Sequence, residues 1–229
     1  MSPVAVLIPS AGLSTRFGRN KLKEMLLGES VMLRTVRAFI DRPDTAVVVL
    51  ATPAGLPPRD TLPNDLATLA GDHPKLVLIE GGATRAHSVR RALAAVPAGV
   101  EWVAVHDAAR PLVSAGLIDR LYAHAVAHGT AVPAMPVKLT IKQAAGPLPA
   151  TVEKTLPRAQ LWEMQTPQVM RRVDLQHAFD RTATPLETVT DDAQLLESVG
   201  LPVWLIDGEE RNLKLTTPQD LAVAERLLA

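Results

Sequence analysis

The stretch Val4–Lys23, VAVLIPSAGLSTRFGRNKLK, decides the fold. Val4–Ile8 is a short unbroken apolar run, the pattern of a parallel strand covered on both faces. It leads into Ser10-Ala11-Gly12, small residues that let the backbone approach a ligand, and then into a polar loop carrying Arg16 and Lys23. Exposed amides and cations at the carboxyl end of a strand suit a polyphosphate. Neither common phosphate-loop pattern is present. The glycine after Gly12 is Gly18, so G-x-G-x-x-G is missing, and no Gly-Lys-Ser/Thr closes the loop.

Outward from this stretch, apolar strand candidates recur at Val4–Ile8, Ala46–Ala51, Leu76–Ile79, Trp102–His106 and Ala131–Ala134. Helical periodicity separates them, over Val31–Ile40, over Ala86–Val96 and behind Ser114, an expected N-cap. Strand–helix alternation predicts an α/β fold with a doubly wound, mostly parallel sheet, Rossmann-like in class. Pro53–Pro63 reads as a loop inside one domain spanning residues 1–229, since the alternation continues beyond it.

The rhythm changes at Val137. Val137, Leu139 and Ile141 alternate with Lys138, Thr140 and Lys142, turn residues follow, and Thr151–Thr155 returns as a second strand. A lone two-stranded hairpin is marginal in water, so residues 137–155 read as an arm that packs on a second copy of the chain. After it come Arg158–Val169, a helix over Val173–Phe179, a helix over Asp191–Val199 behind Thr190, and a strand over Val203–Ile206. A last helix is opened by Thr217-Pro218-Gln219-Asp220, where Thr217 and Asp220 read as structural caps.

Composition narrows the chemistry. The 229 residues carry 24 Lys+Arg and 24 Asp+Glu, so no general basic field draws the chain to nucleic acid and any anion site is a local cluster. Cysteine is absent, which removes thiolate metal sites and a cysteine nucleophile. No apolar run reaches the roughly 18 residues of a membrane span. With no signal-like N-terminus, the expectation is a cytoplasmic protein.

Three further segments bring candidate chemistry. Gly81-Gly82-Ala83-Thr84-Arg85-Ala86-His87-Ser88 stands between a strand and a helix; read alone, it is a tight turn with a solvated Arg85. In His106-Asp107-Ala108-Ala109-Arg110-Pro111, Asp107 falls at a strand end, from which a carboxylate can hold Mg²⁺ bridging phosphates. His106 reads as a satisfied, partly buried histidine. Thr140, Lys142, Arg158 and Lys214 complete the set at the ends of sheet elements.

Taken in order, Ser-Ala-Gly-x3-Arg16…Lys23, Gly-Gly-x2-Arg85-x2-Ser88-Val89, His106-Asp-Ala-Ala-Arg-Pro111, Pro136-Val-x-x-Thr-x-Lys142, Gln165-Thr-Pro-Gln168, Thr190-Asp191 and Asn212-x-Lys-x-Thr-x-Pro-x-Asp220 resemble the 2-C-methyl-D-erythritol 4-phosphate cytidylyltransferases, over essentially the whole chain. The resemblance implies CTP and methylerythritol phosphate as substrates, Mg²⁺ as cofactor and a homodimer with interlocked arms. By motif match, Arg16 and Lys23 hold the triphosphate, with Lys214 a further electrostatic stabiliser. Ser10, Ala11, Gly12, Gly82, Ala83, Ser88 and Ala108 seat the cytidine side, and Asp107 serves the metal. Arg110, Thr140, Arg158 and Lys214 grip the sugar phosphate. Leu22 and Glu24 flank Lys23 where the family usually has Pro and Gln, predicting a less stiff loop. Leu139 replaces an Asp, predicting a looser acceptor site, and Ala83 stands where Asp is frequent. The rival readings are a ribitol 5-phosphate cytidylyltransferase and a non-catalytic nucleotide-sensing domain.

Overall fold

A computed structural model describes residues 2–10, 17–18 and 20–228. Ala11, Gly12 and Arg16 of the candidate site lie outside the described residues. The elements run β1 Val4–Pro9, β2 Met25–Leu26, β3 Glu29–Ser30, α1 Val31–Ile40, β4 Thr45–Thr52, α2 Asn64–Asp72, β5 Leu76–Glu80, α3 Arg85–Ala94, β6 Trp102–Val105 and α4 Ala115–His128. There follow β7 Thr130–Pro136, β8 Lys142–Ala144, β9 Val152–Thr155, β10 Trp162–Met164, β11 Gln168–Arg171, α5 Arg172–Arg181, α6 Asp192–Ser198, β12 Leu205–Asp207 and α7 Pro218–Leu228.

Eight strands form the main sheet in the order β10-β7-β11-β6-β1-β4-β5, with β12 also paired to β7. β1 runs parallel to both β4 and β6, and β5 parallel to β4, while β11 is antiparallel to its two neighbours. Side chains alternate across a strand, and in β1 both sets are buried. Val4, Val6 and Ile8 pack with α1, α2, α4 and α7; Ala5 and Leu7 pack with α3, α5 and α6. Helices therefore cover both faces, and the doubly wound, mostly parallel sheet expected from the apolar runs is present. Parallel strands covered this way end in a shared crevice at their carboxyl ends, where such sheets bind ligands.

Local signals set the helix ends. Ser114 Oγ accepts the Leu117 amide and starts α4; Gly129, at φ +90°, stops it by donating its amide to Ala125 O. Asp220 Oδ2 accepts the amides of Thr216 and Thr217 at 2.7 Å, the structural cap read for α7. Two expectations change. Asp191, not Thr190, caps α6 by accepting the Gln194 amide, because Thr190 is turned to Gln194 Oε1. The arm's first strand is Lys142–Ala144 and not Val137–Lys142, since residues 137–141 make only scattered bonds, Val137 N–H to Leu161 O and Leu156 N–H to Ile141 O. Among the described residues no helix is long and apolar enough to cross a membrane.

Candidate active site

The site is built where β6 runs out into His106-Asp107. β6 pairs with β1 through Leu7↔Val105, so Asp107 and Ser10 leave the sheet at the same edge. The Ser10 amide and hydroxyl both donate to Ala51 O at 2.8 Å, which fixes the exit of β1. His106 is fully buried. Its Nε2 lies 3.1 Å from Arg110 O, and a carbonyl only accepts, so the ring proton sits on Nε2. Nδ1 then accepts from the Thr166 hydroxyl at 3.1 Å, whose oxygen accepts the Asp107 amide at 3.0 Å. Burial, with Arg110 and Arg85 close by, outweighs the pull of the Arg110 carbonyl and of Asp107 and lowers the imidazole pKa to about 4. His106 is a neutral strut that aims Asp107.

Asp107 is enclosed by three cations. Arg85 Nε donates to Oδ1 at 3.1 Å; Lys214 Nζ lies 2.9 Å and Arg110 Nε 3.5 Å from Oδ2. Burial alone would push this carboxyl up, but Arg85, Lys214 and Arg110 together hold it well below the ordinary carboxylate range. Arg85 is thus not the solvated residue its segment suggests. The tight turn before it is as expected. A Cβ on Gly82 would stand 2.3 Å from His87 Cβ, so only glycine lets the strand exit pass the start of α3. Ser88 Oγ accepts the Gly82 amide at 3.0 Å and donates to Thr84 O at 2.9 Å. Ser88 is fully buried and holds the turn's shape, while Ala83 is exposed at its tip.

Arg110, nearly buried, donates to Asn212 O at 2.7 Å and to Met164 O at 3.3 Å. It therefore stitches Asp107 to the two loops behind it. Asn212 Nδ2 donates to Thr166 O at 2.9 Å and Gln165 Oε1 at 3.2 Å, and Gln165 Nε2 donates to Glu209 O at 2.9 Å. The Leu215 amide donates to Ala109 O at 2.9 Å, and the Leu215 side chain is buried. Lys214, between these two anchors, has its ammonium at Asp107 and its side chain 42% exposed. Ala108 is buried, its carbonyl accepting the Thr35 hydroxyl.

The remaining candidates stand apart from this cluster. Lys23 is exposed on the single turn Lys21–Lys23. There the Leu22 amide donates to Asn20 Oδ1 and the Leu22 side chain is buried; a proline at 22 could not make that bond, so the turn has its own brace. Thr140 is exposed on the arm and Arg158 is exposed just past its end; Arg158 Nη1 donates to Lys138 O at 2.7 Å, and on the arm Lys142 Nζ donates to Thr155 Oγ1 at 2.6 Å. Lys138 pairs with Glu210, tying the arm's base to the Lys214 loop.

The chain has known relatives. The family model for 2-C-methyl-D-erythritol 4-phosphate cytidylyltransferase matches residues 4–229. The chain belongs to this family. A 2-C-methyl-D-erythritol 4-phosphate cytidylyltransferase from Symbiobacterium thermophilum is 42% identical over 229 residues, covering 99% of this chain and 93% of that protein. A bifunctional IspD/IspF enzyme from Desulfotalea psychrophila is 40% identical over 227 residues; the match covers 98% of this chain and 56% of that longer protein. The crystal structure of the Francisella tularensis cytidylyltransferase superposes with a TM-score of 0.82 at 32% identity, covering 98% of this chain and 99% of that one. Family membership accounts for the ordered motifs from Ser10 to Asp220. The place of Arg85 comes from a contact that joins distant segments, its pairing with Asp107.

Among the described residues, the candidate to hold a divalent cation is Asp107. Among the described residues no group of three or more His, Asp or Glu could hold a metal, and both Asp107 oxygens already face cations. One carboxylate completed by substrate phosphates is a common arrangement for Mg²⁺, which keeps much of its water.

Proposed function

We propose that the chain transfers CMP from CTP to 2-C-methyl-D-erythritol 4-phosphate, releasing pyrophosphate and forming CDP-methylerythritol, an intermediate of non-mevalonate isoprenoid precursor synthesis in the cytoplasm. The observation that carries this reading is Lys214, Arg85 and Arg110 gathered on Asp107 at the carboxyl end of β6, in a chain of this family. A phosphate monoester is already anionic near neutral pH. One of its oxygens bonds to the α-phosphorus of CTP as the bond from that phosphorus to the bridging oxygen breaks, and the electron pair leaves with pyrophosphate. No proton must be removed, which agrees with a neutral, enclosed His106 in place of a general base.

The chain's task is then to hold two polyanions together and spread the transition-state charge. Lys214, freed from Asp107 by an arriving phosphate, serves the reacting groups, and Lys23 and Arg16 serve the triphosphate. The backbone at Gly82, Ala83 and Ala108, with Ser10, forms the cytidine wall, while Ser88 maintains its curvature; the family resemblance assigns Ala11 and Gly12 to the same ligand. Asp107, together with substrate phosphates, would hold Mg²⁺, which would supply further charge neutralisation. Arg110 acts on the acceptor through the loops it fixes.

Thr140 and Arg158 reach the acceptor phosphate of a second subunit. The arm supports this, because Leu139 and Leu148 are 76% and 85% exposed and β8 and β9 pair only with each other. The test is pyrophosphate release from CTP and Mg²⁺ with each acceptor in turn. Turnover with methylerythritol phosphate well above that with ribitol 5-phosphate is expected; release only with ribitol 5-phosphate, or with no acceptor at all, overturns the reading.

A further inference from the structure

We propose that Asp192 is a positioning residue: it holds one arm of Arg85 away from Asp107 and so keeps Lys214 as the exposed, exchangeable cation on that carboxylate. The inference rests on the cytidylyl-transfer reading for its kinetic consequence, but its structural consequence stands alone.

Asp192 is fully buried, and among the described residues neither of its oxygens has a hydrogen-bond partner of good geometry. Among the described residues its opposite charge is Arg85 Nη1, at 2.8 Å from Oδ2. A buried carboxylate with so little compensation is costly, so its place calls for a reason. Its position is imposed from behind. Gln168 Oε1 accepts the amides of Asp192 and Ala193 at 3.0 and 2.9 Å, and Gln168 Nε2 donates to Asp191 Oδ2 at 2.8 Å. The start of α6 is therefore pinned to β11, with Asp192 against Arg85.

Arg85 is shared between two carboxylates, Nε on Asp107 and Nη1 on Asp192. A guanidinium free of Asp192 can present two N–H groups to one carboxylate, the bidentate pairing that a single ammonium cannot match. Arg85 released from Asp192 would turn that face to Asp107 and displace Lys214, which is bound at one oxygen and is the most exposed of the three cations. The catalytic ammonium would then lose its fixed starting point. Asp192 touches no reacting atom; it acts through Arg85.

The experiment uses Asp192→Asn, Arg85→Lys and the double variant in the full chain. Acetylation of Lys214 by a water-soluble active ester, read by peptide mass spectrometry, should rise severalfold in Asp192→Asn. The kcat for pyrophosphate release should fall about 10–100-fold, the scale of a small misplacement at a reacting centre. CTP should still bind at one per chain in calorimetry, which separates misplacement from a loss of folded protein. In the Arg85→Lys background the same substitution should add little, because the arm it holds is gone. Unchanged Lys214 labelling and kcat in Asp192→Asn, or independent losses in the double variant, overturn the inference. If Asp192→Asn alone does not fold, the double variant is read against Arg85→Lys: with no guanidinium to be released the two should label Lys214 alike, and a severalfold rise in the double variant overturns the inference. If the unmodified chain releases no pyrophosphate, the functional reading fails, and Lys214 labelling alone decides this inference.

Discussion

At the residue scale, the site depends on charges that hold one another before any substrate arrives. Asp107 carries three cations, and His106 aims it without titrating near neutrality. The histidine makes a testable contribution. Its pKa falls from an ordinary value near 6.5 to about 4 on folding, so the unfolded chain binds the extra proton between those pH values. Stability from this group is full above about 6.5 and is lost as pH falls toward 4, in total on the order of 3 kcal/mol. A cation on Asp107 would push the imidazole the same way. Urea unfolding from pH 7 to pH 4 should lose about that much more in the native chain than in His106→Gln; equal slopes would contradict the buried, neutral assignment. Asp107 and Lys214 were legible in sequence because each sits in a short motif at an element end. Arg85 also sits in a motif but read as solvated there, and its pairing with Asp192 was not legible, since an ion pair between residues 107 apart leaves no trace in periodicity.

At the element scale, the strands that carry the site were readable as apolar runs because sheet neighbours and helices cover them on every side, as in β1, β4 and β6. Helix α2 escaped notice, since it buries only Leu66 and Ala70 fully, with Ala67 and Leu69 partly covered, behind a proline-rich loop. β11 was hidden in Arg158–Val169, where Gln165, Thr166 and Gln168 look like loop residues yet are buried and tie that strand to the site's loops. The turn before α3 is the most exacting local feature. In Gly82→Ala the new methyl meets His87 Cβ and, at 2.9 Å, the His87 backbone, so α3 must shift and carry Arg85 with it. We expect a loss of about 1–3 kcal/mol in stability, as for overpacking, together with a lower kcat. A Gly82→Ala protein with native melting temperature and native turnover would show that the turn has slack.

At the scale of the whole molecule, two faces of helices clamp one sheet, and the cations meet at the carboxyl ends of its strands while the arm projects with its apolar side chains uncovered. A dimer is the expected state in solution, at twice the 24.5 kDa of one chain by light scattering. Deleting the arm tip, residues 145–150, should yield monomers whose KM rises for the acceptor far more than for CTP. A native chain that is monomeric and fully active would contradict the shared site. In the proposed reaction, positive side chains brought together around Asp107 join a triphosphate to a phosphorylated polyol. Single-turnover transfer in Lys214→Ala tests it most directly. A rate reduced by roughly 100-fold or more is expected, the cost of removing a charge aimed at the transition state, with CTP affinity changed only a few-fold. A rate close to that of the native chain would contradict it.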